Sequence, residues 1–479
     1  MINKWGYLLP PALLSIVLGV VISTMPVISE GLEYLFLLPI SYGIAIIVFA
    51  ELFLNWKENI GMTILFCSSV LRYIISPFLM TLTRHSVSYI YTNSHSYRMA
   101  IFVMIYELFA TLLIASFVRK KHLRKSSRII KKDSIRRGDF KVTWLGALLT
   151  VLIILMLIRR GNLGNVFSHF SVFTRYSEDK SDVYTYDRTF VYILKSFFFI
   201  AIASYMKKLK ERIPSFQSLF LLIASIAALL NVVFYDHTSR SILVEFIVSS
   251  VAVLVFCFPQ KKKLLVAAFS IAGFILVSSV FLAGTLQTTW GAIGSSGNII
   301  ERISEMSELY GNGVSTVAHA IDTYAAAHKM LGISSLIGGF LRALGFITFP
   351  GFRSIYYAFS NTPTAASLFM SSLAGKGFIL PPFGLALYYG DIVFAIPISL
   401  LNMYICFSAL YWVERKRIYA ENDAGILYIV TYAEIICGMS FFVNNITIMI
   451  QGLTELPLLL FIFFEINRLG NRIIIKKHK

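Results

Sequence analysis

Charge is scarce in this sequence. Asp, Glu, Lys and Arg make up 14% of its 479 residues, while 57% are hydrophobic. Soluble domains carry about 25% charged residues, so an ordinary water-facing shell is excluded. Cysteine is scarcer still: Cys67, Cys257, Cys406 and Cys437 all lie in apolar runs without ligand spacing. They offer neither a zinc site nor a disulfide framework and read as small buried hydrophobes. No repeat of fixed period and no low-complexity linker divides the chain, which excludes a solenoid and a tethered second domain. The first apolar run, Tyr7 to Ser23, is followed by no small-x-small cleavage pattern, so it reads as a retained span and not as a removed signal peptide.

What is abundant is hydrocarbon. The mean hydropathy is +0.73, and apolar runs of about 20 residues, enough to cross roughly 30 Å as helix, recur along the chain. The ten-residue alternation of an outer-membrane barrel is missing. The expected fold is all-α, a polytopic membrane protein of about twelve transmembrane helices forming one integral membrane domain, 1–479. The spans are placed at 6–25, 33–54, 60–82, 98–118, 142–158, 189–206, 215–234, 241–258, 264–284, 383–412, 424–442 and 447–466.

Basic clusters set the orientation. The loop 119–141 is strongly basic, and KKLKER, QKKK, ERKR and the last dozen residues add four more clusters. In a twelve-span count all five fall on one side, which the positive-inside rule makes the cytoplasm, with both termini there. The net charge of +18 is thereby a matter of topology and lipid-surface attraction, and nucleic acid is not an expected partner. Two outward loops remain, a smaller one at 159–188 and a larger one at 285–382. The middle of the larger has Ile, Leu, Val and Ala at three- and four-residue spacing, which predicts amphipathic helices on or in the outer leaflet.

The basic residues differ by side. Sorted on this topology, the inward set holds 18 Lys and 10 Arg, and the outward set 3 Lys and 10 Arg. A guanidinium presents a planar fork of donors to phosphate or carboxylate oxygens, so outward arginines point to an anion held there, with lipid phosphate as the plainer occupant. Arg72 and Glu107 lie midway along adjacent predicted spans and are expected to pair, as a structural element before a catalytic one. Lys195 is expected to snorkel outward, and Glu245 to orient Arg240 one turn away.

Two outward segments stand out: YDHTSRS, which joins predicted spans seven and eight, and GKGFILPPFGLALYYGD, Gly375 to Asp391, which returns from the large loop. In the second, Pro381 and Pro382 break a helix and Gly384 and Gly390 thin it, so it can shape a cleft. This layout resembles the Wzy-type O-antigen and capsular repeat-unit polymerases of the bacterial cytoplasmic membrane. The resemblance covers nearly the whole chain as layout, with few specific motifs. It implies a GT-C-like glycosyltransferase that joins undecaprenyl-diphosphate-linked oligosaccharide units, beside membrane lipid, a chain-length regulator and a flippase. No cofactor or metal is expected, since no DxD-type carboxylate pair stands on an outward loop.

Such chemistry needs cations on the diphosphate and a base for the attacking hydroxyl. The diphosphate candidates are Arg240, Arg342 and Arg353, then Arg159, Arg160 and Lys376; the base candidates are Asp236, His237, His319 and Asp322. Two alternatives stay open. A lipid-linked oligosaccharide flippase would share the span count but should show repeat halves, a charged cavity and short outward loops. An O-antigen ligase carries a His-rich motif in its large loop, whereas this loop has only the separated His319 and His328. The topology carries the arginine argument and is directly testable: a reporter fused after Ser295 should read outside, and one fused after Lys125 should read inside.

Overall fold

The computed structural model describes every residue except 1–3, 58, 85–89, 91, 130–139, 160–184, 235–239, 274–298, 349, 361, 374–378, 421–422 and 478–479. Among the described residues there are helices and no strands. The first half of the chain forms α1 (Lys4–Thr24), α2 (Leu37–Val48), α3 (Ala50–Leu54), α4 (Ile60–Val70), α5 (Ser76–Thr83), α6 (Ser94–Ile129), α7 (Trp144–Arg159), α8 (Thr185–Arg212), α9 (Gln217–Val233), α10 (Arg240–Cys257) and α11 (Pro259–Gly273). The second forms α12 (Ile299–Gly311), α13 (Val314–Met330), α14 (Ile333–Arg342), α15 (Arg353–Ser360), α16 (Ala365–Ser372), α17 (Pro382–Lys416), α18 (Ala424–Met439), α19 (Ile446–Glu455) and α20 (Pro457–Lys477).

Seven helical stretches among the described residues are long and apolar enough to cross a bilayer: α1, α4 with α5, α6, α8, α9, α17, and α19 with α20. The bent pair α10 and α11, which turns through 119°, would make an eighth. The other expected spans take different forms. The run 33–54 breaks at Phe49 into α2 and α3. Helix α18 has 16 residues, all of them buried, and at 1.5 Å per residue it covers only about 24 Å. Apolar side chains such as Leu14, Phe117, Leu222 and Val393 are more than half exposed, a liability in water that matches a hydrocarbon surround.

The middle of the bundle is organised by broken helices. A π-helical turn, Leu71–Ile75, joins α4 to α5 and carries Arg72. Arg72 Nη2 meets Glu107 Oε2 at 2.5 Å with both side chains fully buried, as the sequence predicts. Glu107 lies roughly 20 Å along α6 from Ser94 at 1.5 Å per residue. Its second oxygen accepts the Phe383 N–H at 2.9 Å, at the start of α17 where Pro381 and Pro382 interrupt the chain. That first stretch of α17, buried throughout from Pro382 to Tyr388, ends at Asp391, whose φ of 54° kinks the helix before Ile392 continues it. Here Gly384 permits close packing and lines no open cleft: a Cβ on it would lie 3.0 Å from Ala320 Cβ.

The segment expected on or in the outer leaflet packs into the bundle through its first two helices. Helix α12 packs on α5, and α13 on α6 and α17; the turn that joins them, Gly311-Asn312-Gly313, reaches Arg72, since a Cβ on Gly311 would stand 3.6 Å from Arg72 Cα. Asn312 donates to the carbonyls of Phe442 at 3.1 Å and Val443 at 2.7 Å, the freed acceptors where α18 stops. Those hydrogen bonds hold Asn312 in the left-handed region, φ 47°, which Asn tolerates better than most residues. Buried polar backbone in an apolar surround must find partners, and this turn supplies them. Glu107→Ala should therefore lower stability by about 3–5 kcal/mol, because it leaves Arg72 buried and unpaired, whereas Arg72→Met with Glu107→Leu should cost less; thermal unfolding in detergent micelles measures both.

Candidate functional site

Each expected site residue can now be located. Asp236, His237, Arg160 and Lys376 lie outside the described residues. Arg240 and Arg353 begin α10 and α15, and their side chains are likewise outside the description. Arg159 ends α7 exposed, on a helix that packs against α20 and α8. Arg342 closes α14, which packs against α15 and α19. The arginines thus stand on separate elements.

Arg342 is half-buried, and its Nη1 donates to the Thr362 carbonyl at 3.2 Å. Thr362 leads into α16, whose start is capped by Thr364 and Ser367 in a reciprocal pair. Tyr389 ties the neighbourhood together: its hydroxyl donates to Ser335 O and accepts the Ala365 N–H, both at 3.3 Å. One guanidinium nitrogen of Arg342 is thereby used for positioning. A guanidinium has five N–H donors, so the remainder of the fork can address an anion.

His319 and Asp322 share a face of α13 but serve different partners. Asp322 is exposed and accepts from Asn93 Nδ2 and, at 3.2 Å, from Ser96 Oγ, at the start of α6. His319 is buried, 7% exposed, with Nε2 2.9 Å from Ser372 Oγ on α16. Ser372 Oγ also donates to Phe369 O at 2.7 Å. A hydroxyl has one proton, so His319 must be the donor and carries its hydrogen on Nε2. By the same logic Thr323 donates to His319 O at 2.7 Å and accepts from the Tyr388 hydroxyl at 2.6 Å. The two residues are not a dyad here: one clasps α13 to α16 and the other clasps it to α6.

Lys195 does not snorkel outward. Its ammonium donates to the carbonyls of Asn231 at 2.7 Å and Phe234 at 2.6 Å and lies over the Phe246 ring, which caps the end of α9. Glu245 is buried and hydrogen-bonded to Tyr432 on α18. Beside them Asn231, Ser250, Ser196 and Tyr428 form a buried network with contacts of 3.0–3.4 Å. Sequence reasoning passed over Glu308, Asn312 and Ser372. The Gly-Asn-Gly between two amphipathic runs was the available signal, since that triplet marks a tight turn.

No protein-family model, curated protein or solved structure matches this chain.

At the Ser94 end of α6 a second charged group anchors the α1–α2 connection. Arg98 Nη2 meets Glu33 Oε1 at 2.9 Å, and Glu30 lies 3.8 Å away. The hydrogen bond from Arg98 holds the Glu33 carboxyl down at about 2. A carboxylate lowered in the folded state stabilises above its ordinary value and ceases to do so as pH falls through the folded one. Pepsin cleavage within residues 25–36 should therefore begin as pH drops from about 4.5 toward 2, and Arg98→Ala should show the low-pH cleavage pattern at every pH where pepsin acts.

Proposed function

We propose that this chain is a polymerase of lipid-linked glycans in the bacterial cytoplasmic membrane, with twelve spans, cytoplasmic termini and the 285–382 segment facing outward. Its donor is a growing oligosaccharide on undecaprenyl diphosphate. An acceptor hydroxyl oxygen attacks the anomeric carbon, the bond from that carbon to the diphosphate oxygen breaks, and lipid diphosphate leaves with the electron pair. The hydroxyl proton passes to a base among Asp236, His237, His319 and Asp322. On His319 the lone pair of the neutral ring lies on Nδ1. Arg240, Arg342 and Arg353, helped by Arg159, Arg160 and Lys376, neutralise the leaving diphosphate without a metal.

The observation that carries this reading is how the long excursion is built. Its helices are anchored by hydrogen bonds into the bundle core through Glu308 and Asn312, and Arg342 stands at the end of one of them. A loop that only connected two spans would need no such anchorage.

Broken helices at one depth favour a second reading, a flippase, because transporters bind cargo at the ends of discontinuous helices. Here those ends take side chains of the chain itself. Glu107 accepts at the start of α17, Glu308 Oε2 accepts the Ser315 N–H at 2.9 Å at the start of α13, and Arg72 and Asn312 donate to the Phe442 carbonyl in the turn that follows α18. Such saturation suits a rigid scaffold better than a cargo site.

The two readings part on one measurement. In cells, Arg342→Ala should leave protein abundance unchanged, since a half-exposed arginine contributes little folding energy, and should stop chain growth at one repeat unit. Undecaprenyl-linked single units should then be reachable from outside by a reagent that cannot cross the membrane. Units confined to the cytoplasmic side would overturn the polymerase reading in favour of the flippase.

A further inference from the structure

Glu308 sits near the α12–α13 turn, 1% exposed, and among the described residues the groups hydrogen-bonded to it are uncharged. Ser76 Oγ makes a short contact with one oxygen, and the Ser315 amide N–H donates to the other at 2.9 Å. The carboxylate folds over Gly313 so closely that a Cβ there would lie 2.1 Å from Oε1, which makes any larger residue at 313 incompatible with this seat. One turn back on the same face of α12, Ser304 is 1% exposed and its hydroxyl has no hydrogen-bond partner among the described residues, and residues four apart on a helix are neighbours.

Among the described residues, the charged groups on the packed elements are engaged elsewhere or stand at the far ends of their helices, as His328 and Lys329 do in the last turn of α13. Arg72, on the π-turn, is held by Glu107 of α6. On α13, His319 is bonded to Ser372 and Asp322 to Asn93 and Ser96. Arg84 is exposed at the far end of α5, and Glu301 and Glu305 on α12 are acids themselves. Arg302, whose side chain is outside the description, lies six residues back and about 120° around the helix from Glu308. The α13 N-terminus contributes only about half a positive charge. A carboxylate in such a place is too costly to leave bare.

We propose that this turn is a binding site for one small cation, a proton or a sodium ion, with Glu308 as its carboxylate and the hydroxyls of Ser76 and Ser304 as its neutral ligands. Oxygen donors of this kind suit a hard monovalent ion, and a proton satisfies the same carboxylate with a single O–H bond. Burial, opposed by the bonds from Ser76 and Ser315, pushes the Glu308 carboxyl above its ordinary value, in the direction a cation site requires. Because Glu308 bridges α12, α5 and α13, occupancy of the site bears on how the three helices are seated. The inference is independent of which glycan reaction the protein performs.

Infrared difference spectroscopy on the full-length protein in lipid, titrated from about pH 9 down to pH 5 in sodium-free choline buffer, tests it without needing a reagent to enter the core. A carboxylic acid C=O stretch should appear on acidification and be lost in Glu308→Gln. In Ser76→Ala, which keeps the acid and should fold, the band should shift because one hydrogen bond is gone. Sodium chloride replacing choline chloride at constant pH should abolish the band if the site takes sodium, and leave it if the site takes only a proton. A Glu308 that stays a carboxylate over the whole range, with carboxylate bands indifferent to sodium, would overturn the proposal and assign its charge to the α13 N-terminus.

Discussion

Everything at the centre of this molecule depends on the need of broken backbone for partners where no water can supply them. A continuous helix meets that need internally, but this bundle interrupts its helices at Leu71–Ile75, at Pro381–Phe383, at 440–445 and at the Gly311–Gly313 turn. The Arg72–Glu107 pair joins three of these interruptions. Its guanidinium reaches the Phe442 carbonyl and its carboxylate takes the Phe383 amide. Neither charge could be buried without the other, and neither break could be buried without the pair.

From that constraint follows the seating of the long segment between α11 and α17. Asn312 and Glu308 extend the polar core outward, one by satisfying the end of α18 and the other by capping α13. Helices α14 and α16 are then carried on a fixed base, with Tyr389 tying them to α17 and Arg342 bonding the segment that leads into α16, while α15 packs on α14. A site assembled on such a base inherits its geometry, and the proposed transfer, which must hold a leaving diphosphate in line with an acceptor hydroxyl, would need a base of that kind. The same rigidity weighs against alternating access, since opening this core would expose two carboxylates, an arginine and several freed carbonyls at once.

Much of the fold was legible in residue order alone. Apolar runs announced a helical membrane protein, and the matched positions of Arg72 and Glu107 announced their pairing. The candidate site was less legible, for a definite reason. Spacing places His319 and Asp322 on one face of a helix, yet which neighbour each meets depends on α16 and α6, which arrive from 50 residues downstream and more than 200 upstream. Lys195 shows the same limit: its distance from a span end suits snorkelling, but its ammonium is taken by the Asn231 and Phe234 carbonyls at the end of α9.

Composition and periodicity by themselves determined the solvent this chain lives in and the helical class that solvent enforces, because each depends on sums over residues and not on who touches whom. Tertiary structure alone decided that the segment read as lying on or in the outer leaflet packs against the bundle, that apparent spans are bent or broken, and that Glu308 meets Ser76 and the Ser315 amide. Amphipathic spacing is the same for a helix lying on a leaflet and for one buried against other helices. Only the partners that meet its polar face, here Ser76, Phe442 and Val443, distinguish the two.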